Sequence, residues 1–426
     1  MNRSFFCFLH VFKKKYIETY VRIWYDIPIN NQEVNIVPTI TVKIPLYAPT
    51  KTKQEMYEAM QQNFSIACNE TLDLKQNHPK LKASEIDSKL SHIQLPSTLV
   101  QEARKLGTSR FQDWKKNQKT KGFPSFRKRI SILFNNQNWR LRFDNGFLKL
   151  GIPTLEEGNL TVDKYIPLKS NDYNLFWVNY LLTGEMDTEN KYYQKSYASI
   201  SKPKKGNAQL FFKKGQWFFS FAISFEIQNE EKEEKSIGVD RGLRLVAVAG
   251  DAETGKYLTF NGKHIGHIRR KYYKLRRKLM KAKNMKAVKR LEDKEQRIVQ
   301  YWNHLISKSI VEFAIQCNAS IIKIEDLSSI RSMKKYWKRS DRNINSWAFY
   351  DLELKLTYKA QLAELKVEKV NPYKTSQECS KCGKVKKSNR RKEWYICSCG
   401  NKINADVNAS FNISKRPSID TQSTAA

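Results

Sequence analysis

Four cysteines in the C-terminal quarter constrain this chain more than any other residues. In the run TSQECSKCGKVKKSNRRKEWYICSCGNKINADVNAS, residues 375–410, Cys379 and Cys382 form one pair and Cys397 and Cys399 another. Two thiol pairs around a short polar stretch form the pattern of a structural zinc site. Thiolates suit Zn²⁺, and four protein ligands close its tetrahedron. Gly383 and Gly400 follow the pairs, where tight turns are needed. The second pair is one residue shorter than the first, so its turn must take a different backbone path. Cys7, Cys68 and Cys317 stand apart in unrelated contexts, which is metal usage in a reducing compartment and not a disulfide framework.

The charge balance narrows the class of partner. Across 426 residues, 77 Lys and Arg face 42 Asp and Glu, a formal net charge of +35, while 40% of residues are hydrophobic. A chain with that much apolar content folds around real cores, so the excess positive charge belongs on a folded surface. Its natural counterpart is a polyanion whose phosphates release counterions on binding. The apolar segments are too short to span a bilayer, which argues against a membrane protein. The opening MNRSFFCFLHVFKKKY has only a brief apolar stretch followed by lysines and no small-residue cleavage site, so it reads as an N-terminal extension and not a signal peptide.

Periodicity divides the rest. Residues 39–47 alternate like a strand, and Gln54 to about Asn117 repeats apolar residues at three and four, a helical block. From Phe126 to Phe225 the pattern is aromatic-rich alternation with Gly and Pro punctuation, expected as antiparallel strands of a small barrel that the first strand joins. After the acidic linker 229–235, SIGVDRGLRLVAVAG reads as two strands and 256–260 as a third. A basic helical segment from Lys263 to Arg297 holds 15 Lys and Arg against three acids. There follow an amphipathic helix (303–317), a buried strand (320–324), a basic loop, a helix (347–365), the strand KVEKV and a final helix. Three strands, helix, strand, helix, strand and helix is the element order of an RNase H-like fold.

Three acids terminate or begin these elements. Asp240 ends SIGVD, Glu325 ends SIIKIE, and Asp406 starts the last helix. In an RNase H-like layout all three reach one sheet edge, where their mutual repulsion calls for cations. Two Mg²⁺ ions would supply that charge and grip a scissile phosphate, one activating water and the other stabilising the leaving oxygen. Singly, each acid also fits a turn or a helix cap; the ordered set points to a nuclease. Asp326 should point away from Glu325 in an extended strand. His264 and His267 read as surface or nucleic-acid contacts, and His304 as a packed helix residue. No nucleophilic triad and no phosphate-cradling Gly-rich loop followed by Lys-Ser/Thr is present.

Basic tracts interleaved with aromatics suit a phosphate backbone and exposed bases. The first candidates are Arg269, Arg270, Lys271, Tyr272, Tyr273, Arg276 and Arg277. Arg110, Lys115 and Lys121 form a second tract, and Lys334 and Lys335 belong to a third. Nothing in these tracts selects RNA over DNA.

With these pieces placed, the chain resembles the TnpB/OrfB nucleases of insertion sequences, ancestors of the type V CRISPR effectors. The resemblance rests on IGVDRG (237–242), IIKIEDLSSIR (321–331), the run 358–383 and WYICSCGNKINADVNASFNI (394–413), with weaker support from FPSF and GQWFFSF. It implies an α+β multidomain fold: a RuvC-like nuclease domain over 233–370 and 404–413, and a zinc-ribbon target-nucleic-acid-binding insert over 371–403. A β-barrel wedge domain over 39–50 and 126–232 would carry a helical recognition domain at 51–125. Residues 1–38 would be an extension of unknown role and 414–426 a disordered tail. Asp240, Glu325 and Asp406 would be the magnesium-binding catalytic acids, and Cys379, Cys382, Cys397 and Cys399 would hold structural zinc. The implied partners are a guide RNA and target double-stranded DNA, cut beside a short flanking motif in the prokaryotic cytoplasm, with no membrane and no small-molecule substrate. A miniature CRISPR effector, a nuclease-inactive guided repressor and a transposase are the alternatives. Ala405 stands where many members have Arg, and Glu364 where Gly is common.

Overall fold

Ile40, Val42 and Ile44 alternate inward along β1 (Thr39–Pro45), the first strand of the computed structural model. The structure describes residues 39–118, 122–156, 159–193, 197, 200–227, 233–291, 293–327 and 349–419. The extension 1–38, Lys121, Lys334, Lys335 and residues 420–426 of the tail lie outside the described residues. The chain divides into two compact units, one of residues 1–192 and 203–224, the other of 193–202 and 225–426.

In the first unit, α1 (Lys51–Asn77) begins at Thr50, whose hydroxyl accepts from the Lys53 N–H. This is the cap expected of a threonine at a helix start. It buries Tyr57, Met60, Phe64 and Cys68 along one face, and α2 (Ala83–Lys89) and α3 (Ser97–Lys116) follow. Gly107 permits the close approach of α3 to α1, since a Cβ there would meet Thr71 and the Cys68 carbonyl at under 3 Å. The strands are β2 (Ile132–Phe134), β3 (Arg140–Asp144), β4 (Phe147–Glu156), β5 (Asn159–Pro167), β6 (Ile200–Lys213) and β7 (Gln216–Ile227).

Where the sequence suggests one barrel, the structure has two sheets, β1-β7-β6-β2 and β3-β4-β5. They are joined at a Leu46–Leu168 bridge. The expected pairing of the first strand with this region holds, as β1 runs antiparallel to β7. The region also contains a helix that alternation does not predict, α4 (Asp172–Thr183). Asn171 caps its start and Gly184, at φ 79°, ends it. Its buried Phe176, Trp177 and Tyr180 follow helical spacing, which a run of aromatics conceals.

The second unit opens with β8 (Ser236–Asp240), β9 (Leu245–Gly250) and β10 (Tyr257–Asn261). The segment expected as one basic helix is broken into α5 (Lys263–Lys281), α6 (Met285–Leu291) and α7 (Lys294–Gln316). Lys283 takes a left-handed φ of 51° at the first break, and α7 absorbs the amphipathic helix expected from residue 303. There follow β11 (Ile321–Glu325), α8 (Phe349–Leu362), β12 (Lys366–Val370), the short strands β13 (Arg390–Arg391), β14 (Trp394–Ile396) and β15 (Lys402–Asn404), and α9 (Ala405–Lys415).

The sheet order is β10-β9-β8-β11-β12, with β8, β11 and β12 parallel and β9 antiparallel to both its neighbours, β8 and β10. Period-two alternation sorts its faces. Ile237, Val239, Ala247, Ala249, Ile322 and Ile324 pack with Ile306 and Ile310 of α7 and Leu352 and Leu356 of α8. The opposite face meets α9, whose Val407 and Phe411 pack on Val248. Gly238 lies on that face, and a Cβ there would collide with the Ser410 carbonyl and the Ser414 N–H, so the α9 backbone rides directly on β8.

Glu364, at the C-terminal end of α8, has φ 54° while the Leu365 N–H returns to the Ala360 carbonyl. This is a left-handed helix-ending position, which explains why a glycine suits it. Residues 414–419, expected within a disordered tail, are ordered. Ser414 and Lys415 complete α9, Arg416 donates to the carbonyls of Asn371 and Tyr373, and Ser418 bridges to Val370. No helix among the described residues is long and apolar enough to cross a membrane.

Candidate active site and metal centre

The parallel register of β11 on β8 pairs Ile324 with Val239, so one residue further on Glu325 comes beside Asp240 at the same strand ends. Both lie on the face away from the α7 and α8 core, and Asp406 enters on that face from the first turn of α9. Asn404 fixes the start of that helix, its side-chain oxygen accepting from the N–H groups of Asp406 and Val407.

The three carboxylates repel one another. Burial, followed by the charges of Glu325 and Asp406, pushes the Asp240 carboxyl well above its ordinary range. Arg390 and Arg241 pull the other way without cancelling this. Burial also raises Glu325, against the Thr375 hydroxyl, which donates to its Oε1 at 2.5 Å, and against Arg241, Arg416 and Arg390. A buried acid with an elevated pKa beside like charges is a site prepared for a cation.

Arginines frame the acids. The buried Arg241 donates to the Glu325 carbonyl at 2.5 Å and to Glu353 Oε2 at 2.8 Å, and Lys369 reaches the other Glu353 oxygen at 3.0 Å. Arg390 Nη2 donates to Asp406 Oδ1 at 2.9 Å. Sequence reasoning missed Arg390, Glu353, Thr375 and Arg416, since each acts through a partner far along the chain. Arg241 alone had a local signal, its place directly after Asp240.

The four cysteines converge. Their Sγ atoms all lie within 4.8 Å of one another, the single such group of potential ligands among the described residues. Cys379 and Cys399 are 3.6 Å apart, and Cys382 and Cys397 3.7 Å. Four thiolates around a tetrahedral ion with metal–sulfur bonds of about 2.3 Å stand roughly 3.8 Å apart. The two turns differ as the spacing demands: the Gly383 N–H returns to the Cys379 carbonyl, four residues back, and the Gly400 N–H to the Cys397 carbonyl, three back. Burial opposes ionisation of Cys379, but hydrogen bonds from Asn401 and the N–H groups of Cys382 and Lys381 outweigh it and bring the thiol down to about 6. The oxygens of the three acids are not gathered to that ligand spacing.

Of the predicted nucleic-acid contacts, Arg270, Lys271, Tyr273 and Arg277 are exposed on α5, and Arg269 and Tyr272 are half-buried. Arg276 is engaged with Glu295 at 2.7 Å. Arg110 and Lys115 are exposed on α3. His264 packs against Trp302 with ring centroids 5.4 Å apart, His267 is exposed, and burial holds His304 down to about 3, a neutral packed residue.

These features define an α+β multidomain protein with an acidic sheet edge and a four-cysteine centre beside it. Residues 349–413 match the family model "Cas12f1-like, TNB domain". The chain is similar to a protein named CRISPR-associated endodeoxyribonuclease Cas12f1 from Sulfoacidibacillus thermotolerans, 31% identical over 49% of this chain and 52% of that protein. It is also similar to a TnpB-like protein of Methanocaldococcus jannaschii, 35% identical over 34% of this chain and 51% of that protein. The matches thus span about half the length of these relatives. Among solved structures, the cryo-EM structure of the Cas12f1-sgRNA-target DNA complex superposes with a TM-score of 0.63 at 18% identity, over 86% of this chain and 83% of that one. The resemblance to TnpB proteins read from the motifs holds: the relatives are TnpB-like proteins and Cas12f1.

Proposed function

We propose that the chain is an RNA-guided DNA endonuclease of the TnpB kind, in which the second unit is an RNase H-like (RuvC) nuclease domain carrying a zinc ribbon. The observation that carries this is the shared sheet edge of Asp240, Glu325 and Asp406, with Asp240 raised by burial and by the other two charges. Carboxylate oxygens are the donors Mg²⁺ takes, and the repulsion between them is what a divalent cation relieves. Magnesium bound there would supply activated water and charge for the leaving oxygen. Arg241 and Thr375 orient Glu325, and Asn404 orients Asp406. Arg390 adds a positive charge where phosphate charge would gather.

The thiolate separations and the two turns that close on Gly383 and Gly400 fit zinc in a closed, structural role. The exposed cations of α5 and α3 are proposed to grip the guide and target strands. A miniature CRISPR effector is the second reading, favoured by the similarity to Cas12f1; it differs in guide source and not in chemistry.

The test is co-expression with native flanking DNA, sequencing of the RNA that co-purifies, and cleavage of a matching plasmid bearing a randomised flank. Mg²⁺-dependent cutting that an Asp240→Ala variant loses is expected. Specific RNA without cutting would favour the guided repressor, and absence of specific RNA would overturn guidance.

A further inference from the structure

We propose that the first unit carries a pocket for a single nucleotide turned out of a bound nucleic-acid strand. This rests on the nucleic-acid reading above but not on cleavage, and none of its residues belongs to the acidic site. A cavity of about 350 Å³ opens over β1, β6 and β7 beside α1, a volume in the range of small-ligand pockets. Lys43, Arg129 and Lys213 line it, and no acidic residue does. Glu58 holds Arg129 at 2.8 Å without itself lining the cavity.

The remaining wall is aromatic and amide. Phe211 and Phe212 are among the lining residues; Phe211 stacks on Phe218 with centroids 5.6 Å apart and an interplanar angle of 21°, while Phe212 turns to Trp217 on the other face of the sheet. Lys43 Nζ sits over the Phe218 ring, 3.8 Å from its centroid, and 5.2 Å from that of Phe211, so the cation covers a face of Phe218 and stands beside Phe211. Gln61 is 3% exposed, its Nε2 donates to the Ile130 carbonyl at 2.9 Å, and its Oε1 has no partner.

Each part answers a part of a nucleotide. The cations suit a phosphate, the Phe211 ring suits the face of a base, and the orphaned amide oxygen suits an N–H of the base edge after a small side-chain shift. A bare phosphate would leave the ring and the amide unused. An RNA strand and a DNA strand both present this chemistry.

Photo-crosslinking of the full-length protein decides it. One arm uses RNA containing 4-thiouridine, the other DNA containing 4-thiothymidine, with crosslinked peptides identified by mass spectrometry. Crosslinks on the peptides bearing Phe211 or Gln61 are expected, and the arm that yields them names the strand. Phe211→Leu, which keeps apolar bulk but removes the ring, and Lys213→Glu are each expected to weaken binding of that strand by about fivefold or more, with melting unchanged for Lys213→Glu and lowered by only a few degrees for Phe211→Leu, which loses its stacking on Phe218. Crosslinks confined to other peptides in both arms, or wild-type binding by both variants, overturns the pocket. Crosslinks here in a protein that never cuts would sink the endonuclease and leave the pocket standing; cutting without crosslinks here would do the reverse.

Discussion

Arg390 Nη2 lies 2.9 Å from Asp406 Oδ1, which ties the cysteine ribbon to the helix that bears the third carboxylate. Arg390 is on β13, paired with β14, and β14 pairs with β15, which runs directly into α9. The ribbon is therefore a brace for the site as well as a neighbour of it. Replacing Arg390 with Ala removes a charge that lowers both Asp240 and Glu325. Cleavage should fall by roughly a hundredfold, and its acid limb should move to higher pH. A pH–rate profile with the same limb as wild type would show that Arg390 acts only by packing.

Asp240 burdens the fold it serves. Its carboxyl is raised in the folded chain, so stability is greatest below the unfolded value near 3.8 and is lost as pH rises through the folded value. Asp240→Asn should raise the melting temperature of the metal-free protein by about 3 °C at neutral pH, while cleavage drops by roughly a thousandfold or more. Mg²⁺ should stabilise the wild type and not the variant, which differential scanning calorimetry with and without the ion would check.

The four-cysteine centre should hold one zinc per chain by elemental analysis. Cys379→Ser should lose the metal and most of the cleavage, because β15 and the start of α9 would no longer be braced, while the strands of the first unit stay protected in hydrogen exchange. Full zinc content and activity in the variant would remove the ribbon from the mechanism.

Two backbone positions give opposite signs. At Gly238 an added Cβ strikes the α9 backbone, so Gly238→Ala should cost several degrees of melting temperature and displace Asp406. At Glu364 the left-handed φ of 54° burdens an L-residue, so Glu364→Gly should gain about 1 kcal/mol. Chemical denaturation of both variants checks the pair.

Lys359 donates to the His304 carbonyl and to Ser307 Oγ, and burial, helped by Lys355 and Lys308, lowers it to about 7. The unfolded chain holds that proton up to about 10.5, so stability rises with pH between 7 and 10.5. Lys359→Met should therefore compare better with wild type at pH 6 than at pH 9. An equal difference in melting temperature at both values would place the ammonium in contact with water.

The acids were legible because Asp240 and Glu325 each follow an apolar run that reads as a strand and Asp406 heads a short helix. Strand ends and a helix start can be read locally, and the parallel order then leaves few places for Asp240 and Glu325 to go. The cysteines were legible through their spacing. Arg390, Thr375 and Arg416 were not, because a cation or hydroxyl in a polar loop carries no local mark of the partner it will meet. The helix at 172–183 was hidden for a different reason: Phe176, Trp177 and Tyr180 are aromatics that strands favour, and only tertiary burial of one face decides between the two periods. In the basic stretch after residue 263 composition predicted helix correctly but could not locate the turns that divide it.

Because α9 lies on β8 through Gly238, and Ser236 Oγ donates to the Ser414 carbonyl across 178 residues, the first strand of the acidic edge is completed by the last helix of the described chain. A ribosome must therefore translate past residue 414 before the edge can close. A chain stopped before residue 406 would hold β8 and β11 but neither the third carboxylate nor the helix that rides on Gly238, so its acidic edge would stay open.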